Sequence, residues 1–155
     1  MAIRVSVQTA AFSMDAEHAR LMQGGHAAGG VGAFLGVVRG GAGLRALTLE
    51  HYPGMTESMI GRIAADAQAR FGLLGCTVIH RVGRLVVGEP IVLVLCLAAH
   101  RAAALDATAF VMDWLKTRAP FWKREEFEDG RTAWVDAREA DDVAAARWAR
   151  DGRPG

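Results

Sequence analysis

The sequence predicts an α+β chain, a mixed sandwich of sheet and helices, on three observations. Strand-like and helix-like segments alternate irregularly, with consecutive strands in the middle of the chain. The run from Ile91 to Ala99 is continuously apolar, as a strand buried on both faces must be. No internal repeat, low-complexity tract or linker-like shift in composition divides the 155 residues, so a single domain over 1–155 is expected.

Taken in order, Ile3 to Val7 alternates apolar and polar residues with the period of a half-buried strand. Ser13 suits the N-cap of a short helix, Asp15 and Glu17 place negative charge in its first turn, and Gly24-Gly25 ends it. VGAFLGVVR reads as a strand whose internal glycines imply close backbone approach or a bulge, and Arg39 ends it. GGAG is a mobile connection that matches no phosphate-binding fingerprint. Ala46 to His51 is a strand, with pairing to the preceding one as the expectation. From Thr56 to Phe71 the apolar positions Met59, Ile60, Ile63, Ala67 and Phe71 recur at helical spacing, and Gly72 stops the helix. Met55, Met59 and the aromatic residues read as core packing. CTVIHRVG and RLVV are two strands broken at Gly83.

After the apolar strand comes His100-Arg101, then a helix from Ala102 to Thr117 with Leu105, Ala109, Met112 and Lys116 on one stripe. Pro120 ends that helix at or before Ala119, so Lys123 must approach Lys116 by chain reversal or extension. A short TAWV strand and a helix, EADDVAAARW, close the chain.

The charge composition narrows the function. Net charge is +1, which supplies no bulk field for a nucleic acid, so anion recognition must come from a local cluster. Cys76 and Cys96 lie within apolar runs and read as reduced core residues; no zinc-ligand spacing is present. The longest apolar stretch is too short to span a bilayer and no secretory or transit segment is recognisable. The expectation is a soluble cytoplasmic protein without metal, cofactor, membrane or nucleic-acid partner.

Of the 18 lysines and arginines only Lys116 and Lys123 are lysines. A guanidinium stays protonated at any ordinary pH, whereas an ammonium can be desolvated, lose its proton and act as acid, base or nucleophile. A chain so biased toward arginine retains lysine where that chemistry is needed; the competing reading is two residual lysines on a solvated helix end. With Arg118 and Arg124, beside Phe121 and Trp122, the lysines compose a cluster suited to an anionic substrate. His100-Arg101 and Arg39 end two strands, positions from which basic groups converge on one anion if the strands are neighbours. His51 and His80 read as structural.

The ordered motifs FLGVVR, LTLEHYPGMTE, VIHRVG, AHR, MDWLKTRAPFWKRE and WVDARE closely resemble the large catalytic subunit of molybdopterin synthase, from about Phe34 to Trp148. The resemblance implies a hammerhead-type α/β fold and a homodimer that becomes a heterotetramer with two copies of a small ubiquitin-like sulfur-carrier subunit. The carrier's Gly-Gly thiocarboxylate delivers sulfur to cyclic pyranopterin monophosphate, forming the molybdopterin dithiolene. It assigns catalysis to Lys116 and Lys123, and substrate contact to those two residues with Val37, Val38, Arg39, His100, Arg101, Arg124 and Glu125. Phe34, Met112 and Arg138 are implied as pocket neighbours, some positions coming from the second protomer. The loop after Arg39 is shorter and richer in glycine than the family's. A carrier-binding scaffold without catalysis is the alternative, against which the retention of both lysines speaks.

Overall fold

The apolar run forms the strand Pro90–Ala98, buried from Ile91 onward. Successive side chains of a strand point to opposite faces, and here both faces are covered. Val92, Val94, Cys96 and Ala98 enter the larger core, whereas Leu93, Leu95 and Leu97 pack with Leu21 and Ile79 on the other side. The computed structural model describes residues 2–135 and 139–150. Within them the elements are β1 (Ala2–Gln8), α1 (Met14–Leu21), β2 (Gly30–Val37), β3 (Leu44–His51), α2 (Met55–Phe71), β4 (Gly75–Arg81), β5 (Gly83–Val86), β6 (Pro90–Ala98), α3 (Arg101–Arg118), β7 (Phe121–Phe127), β8 (Thr132–Trp134) and α4 (Glu139–Arg150).

Two four-stranded sheets result, ordered β1-β4-β6-β2 and β5-β3-β7-β8. In the first, β1 and β4 are parallel and the other neighbours antiparallel. Helices α2 and α3 cover its larger-core face through Ile60, Ile63, Ala64, Ala107, Val111 and Leu115. On the other face lies α1, started by Ser13, whose hydroxyl accepts the Ala16 N–H at 3.1 Å. Arg4 of β1 donates twice to buried Glu17 of α1, at 2.8 and 3.2 Å, which compensates the carboxylate for leaving water.

Both internal glycines of β2 are required. A Cβ at Gly32 would run into the Ala104 carbonyl and the Thr108 hydroxyl of α3, so the glycine sets how closely α3 approaches the sheet. At Gly36 the ring of Phe34 and the side chain of Val92 occupy the space, and the pairing with β6 slips between Gly36 and Val37. Gly32→Ala is expected to destabilise the chain by about 2–3 kcal/mol, measured as a shift in the urea midpoint without a change in slope.

Three expectations are corrected. β3 does not pair with β2; the glycine loop carries it into the second sheet, between β5 and β7. The face α3 buries comprises Ala104, Ala107, Thr108, Phe110, Val111 and Leu115, one position off the 105/109/112/116 stripe, and Leu105 is 61% exposed. A helix carrying so many alanines offers two faces of similar polarity, and Gly32 selects the small-residue one. Met55 and, of the aromatic residues, Phe34, Tyr52, Trp122 and Trp134 are exposed rather than packed in the core. Other expectations hold. Pro120 does stop α3, whose C-cap is Ala119; Gly72 ends α2 in the left-handed region, at φ 65°; and Gly83, at φ 86°, opens β5 just past the end of β4, the two strands belonging to different sheets. Among the described residues no helix is long and apolar enough to cross a membrane.

Candidate active site

Lys116 lies in the last turn of α3 and Lys123 on β7, paired in register with Leu49 of β3. Helix α3, about 27 Å long at 1.5 Å per residue, starts beyond the C-terminal end of β6 and runs back over β2 and β6. Its last turn therefore returns to the end of the first sheet where Pro90 pairs with Val37. His80, in register with Val92, is the last residue but one of β4, at that same end of the sheet. Arg81 fastens it, donating to the carbonyls of Thr9 and Pro90 at 3.0 and 3.3 Å.

Both lysines act electrostatically on His80. This imidazole is pushed down to about 4, chiefly by burial, with the charges of Lys116, Lys123 and His51 contributing and the Arg81 carbonyl opposing. Its ring stacks on Phe121 with centroids 3.9 Å apart and planes at 22°, and Nδ1 lies 2.8 Å from the Arg81 carbonyl oxygen. His51 in turn approaches Glu57 of α2 at 3.3 Å. Chain reversal after Pro120 brings this about: Thr56 of α2 donates to the Pro120 carbonyl at 3.1 Å, and Phe121 enters β7 opposite His51.

A consequence for acid stability follows. The unfolded imidazole takes its proton near pH 6.5, while the folded one stays neutral to about pH 4, so the unfolded state binds more protons in this interval. The stability His80 contributes above pH 6.5 is lost as the pH falls toward 4. Lowering the pH from 7 to 5 is expected to cost about 2 kcal/mol through this group, and His80→Phe should remove that part of the slope in paired urea titrations.

The basic cluster expected from sequence divides in two. Alternation along β7 puts Phe121, Lys123 and Glu125 on the face shared with Leu49 and Leu47, and turns Trp122, Arg124 and Glu126 to the other. Arg124 lies over the ring of Trp134 on β8 at 6.0 Å; Trp122 and Trp134 are 48% and 58% exposed. On that outer face Glu126 bonds Arg84 and Arg45, which hold its carboxyl well below the usual range. Arg118 stacks on Trp114, 4.3 Å from the ring centroid.

The remaining positions separate along the first sheet. Val37 is exposed at the end of β2, and buried Val38 is held by Glu89 and Gly88 through backbone bonds of 2.9 and 2.8 Å. Exposed Arg39 follows, one residue beyond the bonded Val38 rather than at the end of β2, so this group adjoins the two-lysine region. Phe34, 42% exposed, and half-buried Met112 lie further along β2 and α3. His100, the N-cap of α3, and Arg101 stand at the opposite end. Pairing of Gly30 with Ala98 and of Val37 with Pro90 sets the two ends roughly 25 Å apart, at about 3.3 Å per residue. Within one chain His100 and Arg101 do not converge with Arg39. Arg138 lies outside the described residues.

His80 is what sequence reasoning missed. A signal was present, since the alternation in CTVIH puts it on the face of Cys76 and Val78, the one α3 covers. Among the described residues no three His, Cys, Asp or Glu side chains gather as a metal site would require.

Comparison with known proteins adds a family to this geometry. The family model described as MoaE protein matches residues 7–118. The chain is 52% identical over 150 residues to the molybdopterin synthase catalytic subunit of Mesorhizobium japonicum, covering 96% of this chain and 94% of that one. It is 51% identical over 151 residues to the subunit of that name from Pseudomonas aeruginosa, covering 96% and 99%. The structure of the molybdopterin biosynthesis MoaE protein from Burkholderia ambifaria superposes with a TM-score of 0.82 at 45% identity, covering 95% and 98% of the two chains.

Proposed function

Since the chain belongs to the MoaE family, whose close members are molybdopterin synthase catalytic subunits, we propose that it inserts sulfur into cyclic pyranopterin monophosphate, taking it from the thiocarboxylated Gly-Gly terminus of a small ubiquitin-like carrier. The observation that carries this reading is that the only two lysines both bear on the charge of one imidazole, His80, which stacks on Phe121 of the strand that also carries Lys123.

The chemistry is acyl-sulfur transfer to an anionic pterin, with opening of its cyclic phosphate. Lys116 acts as general acid or base, or steadies negative charge on the attacked carbonyl. Lys123 and Arg39 hold phosphate and the carrier's terminal carboxylate. Phe121, stacked on His80, walls the channel, and glycine suits the incoming tail because a narrow channel admits backbone without side chains.

The site is completed by a second protomer. Arg101 and His100 reach an anion held by Lys116, Lys123 and Arg39 only from another chain, because roughly 25 Å of β6 separates the two groups in one. The active assembly is accordingly a homodimer with a carrier on each protomer. Arg124 and Glu125, on opposite faces of β7, serve different partners.

The test is molybdopterin formation from cyclic pyranopterin monophosphate by the purified chain. Product is expected with thiocarboxylated carrier and none with the carboxylate form. Tight carrier binding without product would overturn the enzymatic reading in favour of a scaffold.

A further inference from the structure

The sulfur-transfer reading leaves His80 without a task, although its surroundings are closely specified. Phe121 of β7 stacks on the ring and the Arg81 carbonyl of β4 bonds it, while Lys123 of β7, His51 of β3 and Lys116 of α3 act on its charge. Glu57 of α2 adds an acidic group, engaged by His51.

The Arg81 carbonyl can only accept, so at 2.8 Å it assigns the ring proton to Nδ1 and leaves a lone pair on Nε2. An ammonium has three donors and no acceptor. The two ammonium groups that act on it would repel a cationic ring, whereas they complement a neutral one that offers a lone pair. Nε2 has no bond to another described residue, and among those residues no buried side-chain nitrogen is left unpaired; this edge of the ring is therefore open rather than sealed in the core. Stacking on Phe121 fixes the plane of the ring, and Phe121 shares its face of β7 with Lys123.

Resting on the sulfur-transfer reading, we propose that His80 is a positioning residue of the site, a ring whose open Nε2 edge, unbonded in the chain alone, accepts a hydrogen bond from a lysine amine when the carrier's glycine terminus is bound and keeps that amine aimed at it. It takes no proton in the reaction. Its work is orientation, for which a ring fixed on two sides is suited.

The experiment compares two variants in the assay with thiocarboxylated carrier. His80→Phe keeps a ring against Phe121 and removes the acceptor; His80→Gln keeps an acceptor of similar reach. His80→Phe is expected to lower kcat on the order of tenfold to a hundredfold, with KM for the pterin changed by less than about threefold. His80→Gln is expected to recover most of kcat. A folded His80→Phe with wild-type kcat would overturn the proposal, as would equal losses in two folded variants.

Nitrogen-15 spectra of the ring at neutral pH, with the carrier bound, provide a second measurement, independent of activity. Nδ1 should be protonated and Nε2 bare, and Lys116→Ala or Lys123→Ala should move the Nε2 resonance. A proton on Nε2, or indifference to both lysines, overturns the proposal. Absence of product from the wild-type chain would instead count against the sulfur-transfer reading, with the spectra still deciding the role of His80.

Discussion

Lys116→Ala is expected to lower the rate of molybdopterin formation by about a thousandfold, the range covered by loss of a general acid or base or of a charge-stabilising donor. Folding should be unaffected, because Lys116 is exposed in the last turn of α3 and the helix is anchored by Ala104, Ala107, Val111 and Leu115. Carrier binding should survive, which separates a catalytic loss from a docking loss. Lys116→Arg separates the two roles: a guanidinium keeps the charge but does not release its proton, so a rate that stays low marks proton transfer and a recovered rate marks charge stabilisation. Activity of Lys116→Ala within a few-fold of wild type would remove the amine from the chemistry.

Mixing two inactive variants should restore activity if the site is shared between protomers. Lys116→Ala and Arg101→Ala each disable both sites of their own homodimer. In a mixed dimer, one site combines the intact Lys116 of one chain with the intact Arg101 of the other, while the second site carries both lesions. Random reassociation makes half the dimers mixed, so roughly a quarter of wild-type activity should return. If both residues of a site came from one chain, every site would hold a lesion and mixing would return nothing. The measurement is product formation after joint denaturation and refolding of equimolar variants.

Much of this arrangement was legible before any coordinates. The doubly apolar run at Ile91–Ala99, the Ser13 cap and the Pro120 stop are local signals with local causes, and each element falls where those residues require. Gly32 and Gly36 announced a close approach and a slip in register, and each has one. The pair of lysines stood out because every other residue of the Lys-plus-Arg total is arginine.

What escaped depends on long-range pairing. A flexible GGAG loop permits β3 to pair back onto β2 or to leave for another sheet, and no nearby residue decides between them. The antiparallel register of β2 on β6, which sends Arg39 and Arg101 to opposite ends, leaves no trace in either strand alone. The splitting of Phe121 and Lys123 from Trp122 and Arg124 was readable in principle. It needed only the recognition that the chain after Pro120 is a strand, whose period is two. His80 escaped because a lone histidine at a strand end is ordinarily structural; its meaning comes from Lys116, some 36 positions later, and from Phe121 beneath its ring.

The most direct measurement is a crystal structure of this chain bound to the carrier, with the carrier's Gly-Gly terminus in place. The terminal glycine should end about 3 Å from Nζ of Lys116, with Lys123 on the same cavity and Arg101 of the second protomer facing it. A terminus that stops elsewhere, with the two amines directed to bulk solvent on different sides of the molecule, would contradict the account.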